Sequence, residues 1–173
     1  LQEEQRGLVH AIETAKTAIG QDDFFLFLGD ELIINPRQSA MLEKFQNEKL
    51  FAICGMIKVD NPNLISRTYG IREEAGFIVE LVEKPDLAFI EQGKVVKDIM
   101  GTGNCLFQNS IFSYIEKTPI NLKRGEKELP DLIRTAVRDG KLVKSFFVCD
   151  MYFNLNLRQD ESYFAHFTEK DKK

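Results

Sequence analysis

Asp30 follows a wholly apolar run, residues 24–28, and a single glycine, Gly29. A carboxylate just past the carboxyl end of a buried α/β strand stands where open parallel sheets place their ligands. The glycine lets the backbone come close to such a ligand. Asp30 is therefore a candidate for holding a metal or a phosphate; the alternative is an ordinary strand-to-turn Gly-Asp. Glu83-Lys84-Pro85 puts an acid, a base and a rigid exit at another strand end. A carboxylate there can accept from two hydroxyls of a sugar, and the ammonium can hold a phosphate as a mobile point charge. A solvated strand end has the same composition. Gly101-Thr102-Gly103-Asn104 leads into Cys105-Leu106-Phe107, and two glycines before a strand indicate close approach of a ligand or another backbone. Arg124-Gly125-Glu126 precedes Glu128-Leu129-Pro130-Asp131. This is either a turn with acids at a helix start, where the dipole favours them, or a place for Glu126 and Arg124 on a bound sugar phosphate. Gln2 and Gly7 precede the first helical pattern. A glycine there exposes backbone N–H groups suited to a polar or anionic ligand, though a plain helix start reads alike.

The elements that position these residues follow from hydrophobic spacing. Leu8, Ile12, Ala15 and Ile19 mark a helix stopped by Gly20. Residues 36–49 read as a helix with Asn35 as N-cap and Pro36 at its first position. Buried strands are expected at 24–28 and 51–59, and a hairpin at 68–73 and 77–83 around Glu74-Ala75-Gly76. Residues 86–97 are mixed. A strand at 101–108, a short helix at 110–117 and a clearer one at 129–139 follow, then strands at 142–148 and 151–155. A final helix from Gln159 fades into a charged tail. Helices alternating with strands predict an α/β fold with helices on both faces of the sheet; the hairpin makes that sheet mixed. No repeat or linker interrupts the chain, so residues 1–173 read as a single domain.

Composition removes several function classes. The chain has 173 residues, 43% hydrophobic and 29% charged, an ordinary globular mix with enough length for one real core. Its net charge is −4 without a basic face, which argues against nucleic acid as a partner. No run approaches the roughly 20 apolar residues of a membrane span, so no membrane partner is expected. Cys54, Cys105 and Cys149 each sit in an apolar run with no C-x-x-C pair, and read as buried thiols of a cytoplasmic protein. His10 and His166 are the only histidines, too few for an imidazole-rich metal site. The sequence opens without methionine or a first strand and reads as the later part of something longer.

The order of these motifs carries more than each one alone. Gln-x-x-x-x-Gly-Leu, Leu-Gly-Asp, Tyr-Gly, Val-Glu-Lys-Pro, Thr-Gly-x-x-x-Phe and Arg-Gly-Glu-x-Glu-Leu-x-Asp follow one another from Gln2 to about Asp160. In that order they resemble the sugar-1-phosphate nucleotidyltransferases, especially the glucose-1-phosphate thymidylyltransferases and UTP–glucose-1-phosphate uridylyltransferases. The resemblance implies a Rossmann-like nucleotidyltransferase fold with a mixed, mostly parallel sheet. It implies transfer of a nucleoside monophosphate from UTP or dTTP to a sugar 1-phosphate, glucose 1-phosphate foremost, with release of pyrophosphate. Catalysis in that family is positioning and charge neutralisation by Mg2+ and cationic side chains. Carried over residue by residue, Gln2 and Gly7 face the pyrimidine base and Asp30 binds Mg2+. Glu83 takes sugar hydroxyls and Lys84 the sugar phosphate. Gly103 lies against the sugar with Thr102 beside it, Glu126 takes another hydroxyl, and Arg124 stands near the phosphate.

Two departures qualify these expectations. The family's Gly-Gly-x-Gly-Thr-Arg-Leu loop, which cradles the triphosphate, does not occur in the sequence. The expected fold is thus N-terminally incomplete, the C-terminal part of a larger catalytic domain. It is expected to be inactive alone, with an incomplete sheet that invites a homo-oligomer. The family's Trp-x-Asp-x-Gly-Thr run is matched by Tyr152-Phe153-Asn154-Leu155-Asn156, so the second metal ligand is the neutral Asn154. That substitution supports an alternative, a catalytically impaired regulatory homologue that binds nucleotide sugar. A third reading is transfer to a phosphorylated alcohol such as phosphocholine, with Tyr69, Tyr152 and Phe153 as an aromatic cage. Glu83, Gly103 and Glu126 suit a polyol better.

Overall fold

A computed structural model of the chain describes Glu4 and residues 6–155. Gln2 and the helix expected from Gln159 lie outside the described residues. In chain order the elements are α1 (Leu8–Ile19), β1 (Phe24–Leu26), β2 (Glu31–Ile34), α2 (Gln38–Asn47), β3 (Ala52–Lys58), β4 (Tyr69–Glu74), β5 (Phe77–Glu83), α3 (Leu87–Glu91), β6 (Ile99–Phe107), α4 (Leu129–Arg138), β7 (Val143–Phe147) and β8 (Met151–Asn154). Short 3-10 helices occupy Pro62–Arg67 and Asn109–Tyr114, the second where a short α-helix was expected.

The central sheet has the order β1-β6-β3-β7. β6 pairs antiparallel with both β1 and β3, while β7 pairs parallel with β3. Three of the four strands thus run the same way, and the sheet is mixed as expected. Its ladders, however, are two antiparallel and one parallel, because β6 threads between two strands that oppose it. The apolar runs have no polar alternation because both faces are covered. Ala52, Cys54, Met56, Cys105 and Phe107 pack with Val9 and Ile12 of α1 and Leu132, Ile133 and Ala136 of α4. On the opposite face Ile53 and Leu106 pack with Met41 and Phe45 of α2. Burying side chains of this size is worth roughly 1.5–3 kcal/mol each. The three thiols are free and buried.

Local chemistry fixes the connections. Ala75 and Gly76 both have positive φ, 50° and 78°, the left-handed pair that a two-residue hairpin turn between β4 and β5 demands. α2 departs from expectation. Asn35 does not cap it; φ there is 53°, and its side-chain amide donates to Asp150 at 3.1 Å. The helix begins at Gln38, with Arg37 at the cap position. The cause is β2, a short strand not anticipated from the sequence. It pairs antiparallel with β8, so the chain must turn sharply at Asn35 before a helix can start. No helix among the described residues is long and apolar enough to cross a membrane.

Candidate functional site

The cleft lies at element ends. Asp30 emerges just past β1 and Glu83-Lys84 ends β5. Gly7 stands at the start of α1, while Glu128 occupies the N-cap of α4. The turn 121–126 and Asn154 at the end of β8 complete the wall. Gly7, Asp30, Glu83, Lys84, Thr102, Gly103, Arg124, Glu126 and Asn154 all line this one cavity of about 330 Å³, joined by Glu31, Thr68, Tyr69 and Glu128. Every residue expected at a nucleotide, sugar phosphate or metal within the described part of the chain is therefore brought together; of the aromatic-cage residues Tyr69 lines the same cavity, and Tyr152 and Phe153 do not.

β6 shapes the floor. Between Cys54 and Met56 its register runs from Cys105 to Gly101, so residues 102–104 bulge out of the ladder. Thr102 seals the bulge: its hydroxyl donates to the Gly55 carbonyl at 3.1 Å and accepts from the Asn104 N–H at 3.2 Å. A Cβ at Gly101 would fall on the Tyr69 ring, and one at Gly103 on Leu28. Close approach by neighbouring side chains is by itself enough to require glycine at both positions. The bulge also frees the Gly103 N–H, which donates to both oxygens of Glu31 at 2.7 and 3.0 Å. Glu31 accepts as well from the Asn104 amide at 3.0 Å and the Tyr152 hydroxyl at 2.8 Å. Burial pushes its carboxyl above the ordinary value, against the pull of these donors.

The Glu-Lys-Pro segment is held by its backbone. The Lys84 N–H donates to the Thr68 carbonyl at 2.7 Å, and the Ser66 hydroxyl to the Pro85 carbonyl at 2.6 Å. Lys84 sits at φ 44°, a left-handed conformation that costs a non-glycine residue on the order of 1–3 kcal/mol and recurs where a side chain must be aimed. Its Nζ stands 3.8 Å from Glu83 Oε1. Arg124 spans three acids: Nη1 is 3.6 Å from Glu83 Oε1, Nη2 2.8 Å from Glu126 Oε1, and Nε 2.9 Å from Glu128 Oε1. Glu126 packs against Gly7, where φ is 83° and a Cβ would collide with its carboxylate. The glycine before α1 is therefore required by the neighbouring acid as well as by its backbone angle.

Burial, then the neighbouring Glu128, pushes the Glu83 carboxyl from 4.5 up to about 7, against Lys84 and Arg124. The Glu83 side chain is 17% exposed, so the effect is little screened. A carboxyl that binds its proton more tightly when folded contributes stability below about pH 4.5, and that contribution is lost as pH rises through about 7. Its scale is on the order of 3 kcal/mol. The melting temperature is expected to fall by several degrees across that window, and Glu83→Gln to flatten the profile. A pH-melting series on both proteins checks this.

Asp30 and Asn154 lie side by side: the Leu155 N–H donates to the Asp30 carbonyl at 2.7 Å, and Asn154 faces Glu31 in the β2–β8 register. Among the described residues no group of three or more His, Cys, Asp or Glu is arranged to hold a metal. One carboxylate and one amide oxygen nevertheless fit Mg2+, a hard cation that takes few protein ligands and completes its shell with water and substrate phosphates. Sequence reasoning missed Glu31, Glu128 and Thr68. Glu128 stands within the Arg-Gly-Glu-x-Glu motif, a usable signal; Glu31 and Thr68 have none.

The sequence profile of the nucleotidyl transferase family matches residues 1–154. The chain belongs to this family. The resemblance to sugar-1-phosphate nucleotidyltransferases stands with that match. The low-salt glycan biosynthesis nucleotidyltransferase Agl11 of Haloferax volcanii is 30% identical to this chain over 144 residues, covering 82% of this chain and 37% of that one. UTP–glucose-1-phosphate uridylyltransferase 1 of Staphylococcus saprophyticus is 30% identical over 139 residues, covering 76% and 46%. The chain thus spans less than half the length of either relative. A crystal structure of UDP-glucose pyrophosphorylase complexed with UDP-glucose superposes with a TM-score of 0.81 at 23% identity, covering 97% of this chain and 64% of that one. This places the chain in the Rossmann-like α/β fold expected.

Proposed function

We propose that this chain carries the acceptor and metal residues of an enzyme that transfers a nucleoside monophosphate from UTP or dTTP to a sugar 1-phosphate, glucose 1-phosphate foremost, releasing pyrophosphate. The observation that supports the reading is the convergence of Asp30, Glu83-Lys84, Arg124-Glu126 and Asn154 on one cleft. Lys84 and Arg124 hold the sugar phosphate with its oxygen free to attack the α-phosphorus in line; the bond to pyrophosphate breaks as the new P–O bond forms. Glu83 and Glu126 accept from sugar hydroxyls and fix the ring, so the reacting oxygen is pre-oriented. Gly7 faces the base. Asp30 and Asn154 would hold Mg2+, which when bound neutralises phosphate charge. The free buried thiols suit a cytoplasmic setting.

Calorimetric titration with glucose 1-phosphate tests the binding half, and binding in the micromolar to millimolar range is expected. Failure to bind any sugar 1-phosphate would sink the proposal. The Gly-rich triphosphate loop is not among the 173 residues, so the chain mixed with glucose 1-phosphate, UTP or dTTP, and Mg2+ is expected to release pyrophosphate only at background.

Asn154 supports the second reading, an impaired homologue that binds nucleotide sugar. At about 4 Å and an effective dielectric of 20, a missing unit charge forfeits up to roughly 4 kcal/mol of attraction. Asn154→Asp is expected to tighten Mn2+ binding about tenfold or more, read by paramagnetic resonance. Unchanged affinity would remove residue 154 from the metal set.

A further inference from the structure

β3 and β6 bring two of the three cysteines face to face. Cys54 and Cys105 are partners in the antiparallel register. Along such a ladder, hydrogen-bonded and non-hydrogen-bonded pairs alternate. The Gln108 N–H donates to the Phe51 carbonyl at 2.9 Å, so the 51–108 rung is a bonded one. The Ala52 N–H donates to the Leu142 carbonyl at 3.5 Å, and the Met56 carbonyl accepts from the Val148 N–H at 3.2 Å, both on the β7 side. Cys54 stands between Ala52 and Met56 and turns its backbone groups the same way. Cys54–Cys105 is therefore a non-hydrogen-bonded pair, whose Cα atoms stand about 4.5 Å apart. That lies inside the roughly 4.4–6.8 Å that a disulfide spans. Both side chains sit on the face covered by α1 and α4, and both are 0% exposed. The two thiols share a hydrogen bond; that contact, then burial, pushes the Cys54 thiol well above its ordinary value. Cys149 packs in a different cluster, on the opposite face.

The pair lies beneath the cleft. It is the last regular rung before residues 102–104 bulge out of the ladder. Cys105 Sγ is 4.0 Å from the Thr102 carbonyl and 4.0 Å from the Tyr69 hydroxyl, and Thr102 and Tyr69 both line the cavity. Gly103, next in the bulge, gives its N–H to Glu31. We propose that Cys54 and Cys105 form a redox latch: a hydroperoxide joins them in a cross-strand disulfide that fixes the floor of the cleft. One thiol loses its proton and its sulfur attacks the peroxide, becoming a sulfenic acid and releasing an alcohol, or water where the oxidant is hydrogen peroxide. The second sulfur attacks the first, and the sulfenic oxygen leaves as water with the second thiol's proton. Two thiols and one hydroperoxide thus give one disulfide, one alcohol and one water; sulfur loses two electrons and the peroxide gains them. A protonated buried thiol is a poor nucleophile, so the resting pair is protected and reacts as the ladder opens beside the bulge. Disulfides in cytosolic proteins are usually transient and redox-sensing. The latch does not depend on which sugar or nucleotide the cleft takes.

The test is exposure of the folded 173-residue chain to hydrogen peroxide, followed by iodoacetamide in denaturant and mass spectrometry. The chain is expected to lose two hydrogens, to leave Cys149 as the one thiol alkylated of the three, and to yield a peptide cross-link between residues 54 and 105. A dithiol reductant is expected to restore all three thiols. The bridge closes the segment between Cys54 and Cys105, so the melting temperature is expected to rise by roughly 5–10 °C. Exchange of the Gly103 amide hydrogen is expected to slow about tenfold or more, because opening the bulge then works against a covalent rung. Cys54→Ala and Cys105→Ala are two independent controls, each expected to show neither the cross-link nor the rise in melting temperature. Three alkylatable thiols after peroxide, or a bridge through Cys149, would overturn the proposal. So would a cross-linked chain that melts below the reduced one. Unchanged exchange at Gly103 in the cross-linked chain would overturn the latch's hold on the cleft floor.

Discussion

A single methyl group at position 101 is expected to destabilise this fold by about 3 kcal/mol or more. In Gly101→Ala the new Cβ falls on the Tyr69 ring. That ring has nowhere to go: Tyr69 is 4% exposed, and its hydroxyl donates to the Thr102 carbonyl at 3.1 Å. Gly101 cannot retreat either, since it is paired with Met56 beside the β6 bulge. For a domain of this size the melting temperature drops by roughly 6–12 °C. Because Tyr69 also lines the cleft, ligand affinity falls with it. Gly76→Ala is the control, for there a Cβ meets nothing within 4 Å and only the turn angle suffers. Thermal melts of both variants decide the point, and equal stability of Gly101→Ala with the unaltered chain would refute the packing argument.

The second large effect is at Lys84, where stability and binding are expected to move in opposite directions. At φ 44° a lysine is held in a conformation that glycine adopts freely. Lys84→Gly is therefore expected to gain about 0.5–1 kcal/mol of stability from the backbone. The same change removes the ammonium proposed to hold the phosphate. A charge-assisted hydrogen bond is worth about 1.5–3 kcal/mol, so glucose 1-phosphate affinity falls roughly 10- to 100-fold. Loss of the ammonium also raises the Glu83 carboxyl further, because Lys84 is one of the two cations holding it down. Melting and titration on one sample separate the two effects. Unchanged affinity in Lys84→Gly would take the residue out of the phosphate site.

Much of this was legible in the residues. The run at 24–28 reads as a buried strand, but only Phe24–Leu26 form β1, half-buried at the edge of the sheet, and Phe27 is 53% exposed; the two-sided burial belongs to β3 and β6, covered by α1 and α4 on one face and α2 on the other. Ala75-Gly76 reads as a turn because few residues tolerate two successive positive φ angles. The start of α2 was misplaced because Pro36 after Asn35 is a strong local helix signal, whereas the pairing of β2 with β8 is a contact between residues more than a hundred positions apart. Gly101 and Gly103 show the same limit. A glycine reports that something comes close, and the sequence does not say whether it is a ligand, a tyrosine or a leucine.

Sequence alone determined the residue types, their order and hence the family, along with the two-sided burial of the central strands. Those features are local or periodic, and each is encoded within a few neighbouring side chains. Tertiary structure decided which acids share Arg124, that Glu31 takes the Gly103 N–H, and that Glu128 and Thr68 line the cleft. Burial and electrostatic coupling depend on distances between elements far apart in the chain, and these exist only once the sheet, its bulge and its flanking helices have closed around the cavity.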